Sequence, residues 1–324
     1  DDDAFLEQLR ELRPSIYFQF DGFEAETYRL LRGEPAILPQ KLRALDRLAE
    51  VGANVVLVPA VDRFINLHEV GAIVSFGLQH PAVRGINFQP AFRSGRHIAS
   101  DSMQRLTIPD ILTALEEQTD GMLKVSDFVP VPCCFPTCNS VTYVLNDGET
   151  VLPLTRVLNV EDYLDYITNR AVPDLSEEIK VALEGLWSSS AVAGSDKAAQ
   201  QFALSCAACG LPGGLDLAAF ARQIFMIMLQ DFMDPWTFNQ KNVMKCCKEM
   251  LLPDGKQIPF CAYNNVGYRE QAREQLQARE RRRNQARRMD VPYTPEPLTF
   301  SFEHVPGSRS ISPGVKGAAN GHEA

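Results

Sequence analysis

No apolar run in this chain approaches the roughly 18–20 residues needed to cross a bilayer, and its opening shows neither a basic n-region nor a small-residue cleavage pattern. Both a membrane span and a secretory leader are therefore missing from the reading. The expected compartment is reducing and cytoplasmic, with membrane contact confined to the periphery. Basic charge is in short supply as well: 32 Lys and Arg stand against 41 Asp and Glu, a formal net charge of -9, which argues against a general nucleic-acid binder. The local exception, Arg279, Arg281, Arg282, Arg283, Arg287 and Arg288, is interleaved with Glu270, Glu274 and Glu280 and reads as a solvated helix face. Cysteine is absent before Cys133 and after Cys261. There is no initiating Met; DAFLEQLREL runs from helix pattern straight into a strand, so a fragment or processed chain is expected.

What is present is an ordinary globular composition, 45% hydrophobic and 23% charged over 324 residues, enough for a large α/β barrel or two domains. Strand and helix patterns alternate through residues 1–115. SIYFQF at Ser15–Phe20 is a short apolar strand, and ETYRLLRG is a short helical stretch closed by Gly33. Pro39–Val51 places Leu42, Leu45, Leu48 and Ala49 on one helix face. NVVLVPAV at Asn54–Val61 is nearly all apolar, as a parallel strand covered on both sides would be. NLHEVGAIVSFGLQH predicts a helix, and Val83–Phe92 a third strand. Three such units predict a parallel sheet with right-handed crossovers.

Beyond Leu106, TIPDILTALEEQTDG predicts a helix with Thr107 as N-cap, Pro109 in the first turn and Gly121 past the end. The prolines of DFVPVPCCFPTC exclude a central strand. VTYVLNDGETVLPL predicts a hairpin turning at Asn146–Gly148. Residues 155–200 read as mostly helical, SCAACGLPGG as a loop, and Leu215–Asp231 as an apolar helix whose methionines pack in the core. A charged helix follows Cys261. Gly307–Ala324 has the composition of a disordered tail.

The eight cysteines fall into four groups: Cys133, Cys134 and Cys138 in PCCFPTC; Cys206 and Cys209 in SCAACG; Cys246 and Cys247 in KCC; and Cys261 in PFCAYN. In a reducing compartment a dense cysteine group points to metal or catalysis rather than to disulfides. Thiolates hold iron-sulfur clusters and zinc, generally four to a closed site, so eight suffice for two sites. Spacing does not separate zinc from a cluster. Individual members can also be small buried hydrophobes, Cys134 and one of Cys246 and Cys247 above all.

Taken together, IYFQFDGF, LRALDRLAEVGANVVLVPAV, HPAVRGINFQPAFRSGR, PCCFPTCNSVTYVL and KCCKEMLLPDGKQIPFCAYNNVGYRE resemble the later portion of radical S-adenosylmethionine (SAM) proteins. Within these, the likeness is to the archaeal tetraether lipid synthases and their bacterial relatives. The resemblance spans about residues 10–270. It implies an α/β fold in which residues 1–115 are the C-terminal half of a partial (β/α)6 barrel and 116–265 an auxiliary iron-sulfur domain. A charged helix and extension would occupy 266–306, and the tail 307–324. It implies one or two auxiliary 4Fe-4S clusters on the eight cysteines. S-adenosylmethionine would lie near Gln19, Asp21, Val58, Gln89 and Pro90, with Pro59 beside them, at strand ends that face cofactor and substrate in such barrels. Asp21 also reads as a turn residue or helix N-cap in FDGF.

One departure bears on activity. The C-x-x-x-C-x-x-C motif that holds the SAM-cleaving cluster is missing, because Cys134 and Cys138 are followed by Asn139, Ser140 and Val141. The expectation is that the motif sits on an absent N-terminal half or on a partner chain, and that this chain alone is inactive. The implied function is hydrogen abstraction by a 5'-deoxyadenosyl radical, with joining of lipid alkyl chains as the implied chemistry and an electron donor as a further partner. A non-catalytic electron-transfer or zinc-stabilised subunit completing a partner's barrel is the alternative.

Overall fold

The computed structural model describes residues 3–94, 101–130, 135, 137–146, 148, 150–156 and 223–300, in two compact units, Asp1–Cys247 and Lys248–Ala324. Cys133, Cys134, Cys206 and Cys209 lie outside the described residues. So do most of the helical expectation for 155–200, the loop SCAACGLPGG and the tail 307–324.

In the first unit α1 (Asp3–Leu12) leads into β1 (Ser15–Gln19), α2 (Ala25–Arg32), α3 (Leu38–Glu50), β2 (Asn54–Val58) and β3 (Ala60–Val61). Next come α4 (Val70–Gln79), β4 (Val83–Pro90), α5 (Ile108–Gln118), β5 (Val129–Pro130), β6 (Asn139–Asn146) and β7 (Val151–Pro153). The unit closes with β8 (Ile224–Gln230) and α6 (Gln240–Val243). Local chemistry sets these bounds. Gly33 ends α2 in the left-handed region at φ 77°, where its N–H returns to the Arg29 carbonyl at 3.0 Å. In α5, Thr107 and Asp110 form a capping box, with Thr107 N–H donating to Asp110 at 2.8 Å and Pro109 in the first turn.

The sheet order is β1-β2-β4-β8-β6-β5. Strands β1, β2, β4 and β8 are mutually parallel, and β6 runs antiparallel to β8. The fold is therefore α/β with a mostly parallel sheet, and that sheet continues past residue 115 through β6 and β8. β5 and β7 both pair antiparallel with β6.

The helix expected over Leu215–Asp231 is corrected here: Ile224–Gln230 is a strand, hydrogen-bonded to β4 on one side and β6 on the other. A run of seven residues with apolar side chains on both faces has no period that separates strand from helix. Central position in the sheet decides it.

Alternation along the strands gives the sheet two chemically different faces. Val55 and Leu57, Ile86 and Phe88, Phe225, Ile227 and Leu229, and Val144 share one face. They pack with Leu45 and Leu48 of α3, Ile73 and Val74 of α4, and Ile111 and Leu115 of α5 into one core. Full burial of such side chains contributes about 1.5–3 kcal/mol each. On the opposite face lie Tyr17 and Gln19, Val56 and Val58, Asn87 and Gln89, Met226, Met228 and Gln230, and Asn139, Val141 and Tyr143. None of these belongs to that core.

In the second unit β9 (Glu249–Leu251) and β10 (Gln257–Pro259) form a hairpin, followed by α7 (Phe260–Asn265) and α8 (Tyr268–Arg288). Asp254 at the hairpin turn accepts hydrogen bonds from Lys256 Nζ and Leu298 N–H, both at 2.8 Å. These bonds, the one to Lys256 first, hold its carboxyl down at about 2. Along α8 only Ala272 and Ala286 are buried, as expected of a solvated charged helix.

Candidate functional site

Parallel strands bring their carboxyl ends to one edge, and in open α/β sheets ligands bind beyond that edge. Here it collects the ends of β1, β2, β4 and β8, together with the start of β6, because Asn139 pairs with Gln230. Cys138 stands at the same edge. Its carbonyl accepts from Asp231 N–H at 2.8 Å and its N–H donates to the Phe135 carbonyl at 2.8 Å, so Cys138 is tied to the residue that follows β8.

At the end of β1, Asp21 is fully buried. Its carboxylate accepts two hydrogen bonds from Arg32, each 2.8 Å, one from Ala60 N–H at 3.0 Å, and one from Gln19 Nε2. It does not cap α2, whose N-cap is Glu24. Asp21 instead ties β1 to α2 and β3. Lys41 donates to the Gln19 carbonyl at 2.8 Å and to Gln19 Oε1 at 2.6 Å, and burial lowers the ammonium from its usual range. The hydrogen bond to Asp21 raises Arg32. Burial pushes the Tyr28 phenol up to about 12, and its hydroxyl donates to the Gly22 carbonyl at 3.0 Å.

Glu69 supplies what α2 lacks. Its carboxylate accepts from Phe23 N–H, from the N-cap Glu24 N–H at 3.3 Å and from Thr27 Oγ1 at 2.7 Å, holding the entry to α2 and its first turn. Glu24, His68 and Glu69 lie close enough to share an ion, but the Glu69 carboxylate is already committed to this cap. Gly22 passes directly over it. At φ +150° a Cβ on residue 22 would come 2.3 Å from the Glu69 carboxylate. Gly22→Ala is expected to destabilise the unit by about 1–3 kcal/mol, read as a lower denaturation midpoint; an unchanged midpoint would show that the cap is dispensable.

Val58 is half-buried opposite Gln19. Gln89 N–H donates to the Pro59 carbonyl at 2.9 Å, and Pro90 pairs with Val61. The edge thus brings Gln19, Asp21, Val58, Gln89, Pro90 and Cys138 together. Cys246 and Cys247 follow α6. Cys261 is buried in the first turn of α7, in the second unit.

Two groups at this edge went unseen in the sequence. Arg105 is 8% exposed and binds both oxygens of Asp231, one at 3.0 Å, as well as Asp234 at 3.1 Å and the Phe232 carbonyl at 2.8 Å. Burial raises the Asp231 carboxyl, reinforced by the charge of Asp234. Burial also acts to raise Asp234, but Arg105 and Thr237 outweigh it and hold that carboxyl below its usual range. The second group is a pair of amides: Asn87 Nδ2 donates to Gln230 Oε1 at 3.3 Å, while Asn87 Oδ1 is buried without a hydrogen-bond partner. The available signal was polar residues within otherwise apolar strands.

No family model matches the chain. A 7,8-dihydro-6-hydroxymethylpterin dimethyltransferase of Methanocaldococcus jannaschii is 32% identical over 300 residues, which cover 82% of this chain and 59% of the relative. The likeness supports the radical SAM superfamily. The chain spans about three fifths of that relative's length, and the relative is named for a pterin, so the comparison lends nothing to the lipid-synthase part of the resemblance. Radical SAM proteins in general use a 4Fe-4S cluster and S-adenosylmethionine. Within the first unit the thiol of Cys138, at the ligand edge, is of the donor type that holds an iron-sulfur group.

Among the described residues no helix is long and apolar enough to cross a membrane.

Proposed function

We propose that this chain is the C-terminal part of a radical SAM enzyme that attaches one-carbon groups to a pterin-type heterocycle. The observation that carries the reading is the 32% identity to a pterin dimethyltransferase across 82% of the chain. The parallel strands supply the later strands of a barrel, and β1, which pairs with β2 alone among the described residues, is the edge at which further strands would join. Cys133, Cys134, Cys138, Cys206, Cys209, Cys246, Cys247 and Cys261 are the candidate ligands of auxiliary clusters. A bound cluster with S-adenosylmethionine supplies the one-electron chemistry that breaks unreactive C–H bonds.

The chain's own residues bind and orient. Arg105 fixes the turn after β8 through two carboxylates, and Asp21 fixes the turn after β1, so both ends of the parallel edge are rigid before a ligand arrives. Between them, one face of the sheet carries Asn87, Gln89 and Gln230 among apolar neighbours. An alkyl chain against these amides would return no hydrogen bond, whereas a heterocycle with donors and acceptors on its rim would offer them partners.

The test is chemical. The complete protein, incubated anaerobically with 7,8-dihydro-6-hydroxymethylpterin, S-adenosylmethionine, a methyl donor and a reductant, is expected to yield methylated pterin by mass spectrometry. An unchanged pterin mass from protein with an intact cluster would refute the reading.

A further inference from the structure

We infer that Asn87 and Gln230, flanked by Gln89, are the residues that read the heterocycle rim, an assignment that rests on the pterin reading. Asn87 is 2% exposed and Gln230 6%, yet they share one 3.3 Å hydrogen bond and leave Asn87 Oδ1 with none. A buried acceptor without a partner costs about 1–3 kcal/mol. Two amides kept solely for packing would be better replaced by apolar side chains of similar size. The Gln89 side chain is half-buried one step further along the same face of β4.

The surroundings specify the ligand class. Val56, Val141, Met226 and Met228 occupy the same sheet face as the amides. Thioether sulfur makes favourable contacts with aromatic rings, and apolar walls carrying a few polar groups are the usual make-up of a small-molecule site. Two charges of this edge are committed elsewhere: Arg105 to Asp231 and Asp234, and Lys41 to Gln19. Uncharged amides that both donate and accept match a neutral, flat ring system whose rim alternates donors and acceptors. Pterin and adenine share that chemistry; the assignment is to the pterin.

The experiment compares the full chain with its Asn87→Leu/Gln230→Met variant, using fluorescence titration with 6-hydroxymethylpterin and calorimetric titration with S-adenosylhomocysteine. Removing both partners of a hydrogen bond together can be neutral or stabilising. The variant's thermal midpoint is therefore expected to be unchanged or higher, while its pterin affinity falls about tenfold or more and its S-adenosylhomocysteine affinity stays the same. Gln89→Leu, at a half-buried position, is expected to weaken pterin binding by roughly threefold to tenfold without touching the fold. Unchanged pterin affinity in both variants, or loss confined to S-adenosylhomocysteine, overturns the assignment and leaves the pterin reading standing. Failure of the unaltered chain to bind pterin overturns both.

Discussion

Arg105→Met is expected to cost the first unit about 3–5 kcal/mol at neutral pH, because it leaves two carboxylates at the end of β8 with no counter-charge. Asp234 is fully buried and Asp231 is 17% exposed at its side chain, so water cannot replace the guanidinium. The pH dependence follows from the two shifts. Asp234 lies below its usual range in the native protein, so its stabilisation is present above the ordinary carboxylate pKa and is lost as pH falls through the native value. Asp231 is raised, so its contribution is greatest below the ordinary value and is lost as pH rises through the native one. In the variant both carboxyls gain by taking up a proton. The stability gap between the two proteins should therefore narrow between pH 7 and pH 4, as read by denaturant titration at each pH. A gap that stayed constant would mean that Arg105 acts through packing alone.

The Arg105 cluster shows where sequence reading stops. Arg105 and Asp231 stand 126 residues apart, and no local period links them; two aspartates in DFMDP after an apolar run were the only trace. The first strands and helices were legible because apolar spacing changes at Gly33, Gly52 and Pro59 from one period to the other. β8 was not, since its Met and Ile residues are apolar on both faces. At the site, Gln19, Asp21 and Gln89 could be placed at strand ends from pattern and resemblance. Their division of labour could not: Asp21 proves to be a clamp satisfied by Arg32 and Ala60, whereas the unsatisfied oxygen belongs to Asn87. Hydrogen-bond satisfaction is a property of three-dimensional neighbours, not of residue type.

The second large effect concerns metal. Cys138→Ala and Cys261→Ala, made separately, are each expected to remove a large part of the bound iron. Structural metal binding also contributes folding free energy, so each loss should loosen the backbone around the substituted residue in hydrogen exchange while β1, β2 and β4 keep their protection. Iron content unchanged in both variants would make these two thiols packing residues.

The most direct measurement of the enzyme class is iron and acid-labile sulfide in the anaerobically purified and reconstituted chain. The expected result is a brown protein with iron and sulfide in equal amounts, lost from the cysteine variants. Stoichiometric zinc with no iron, in a colourless protein, would contradict it.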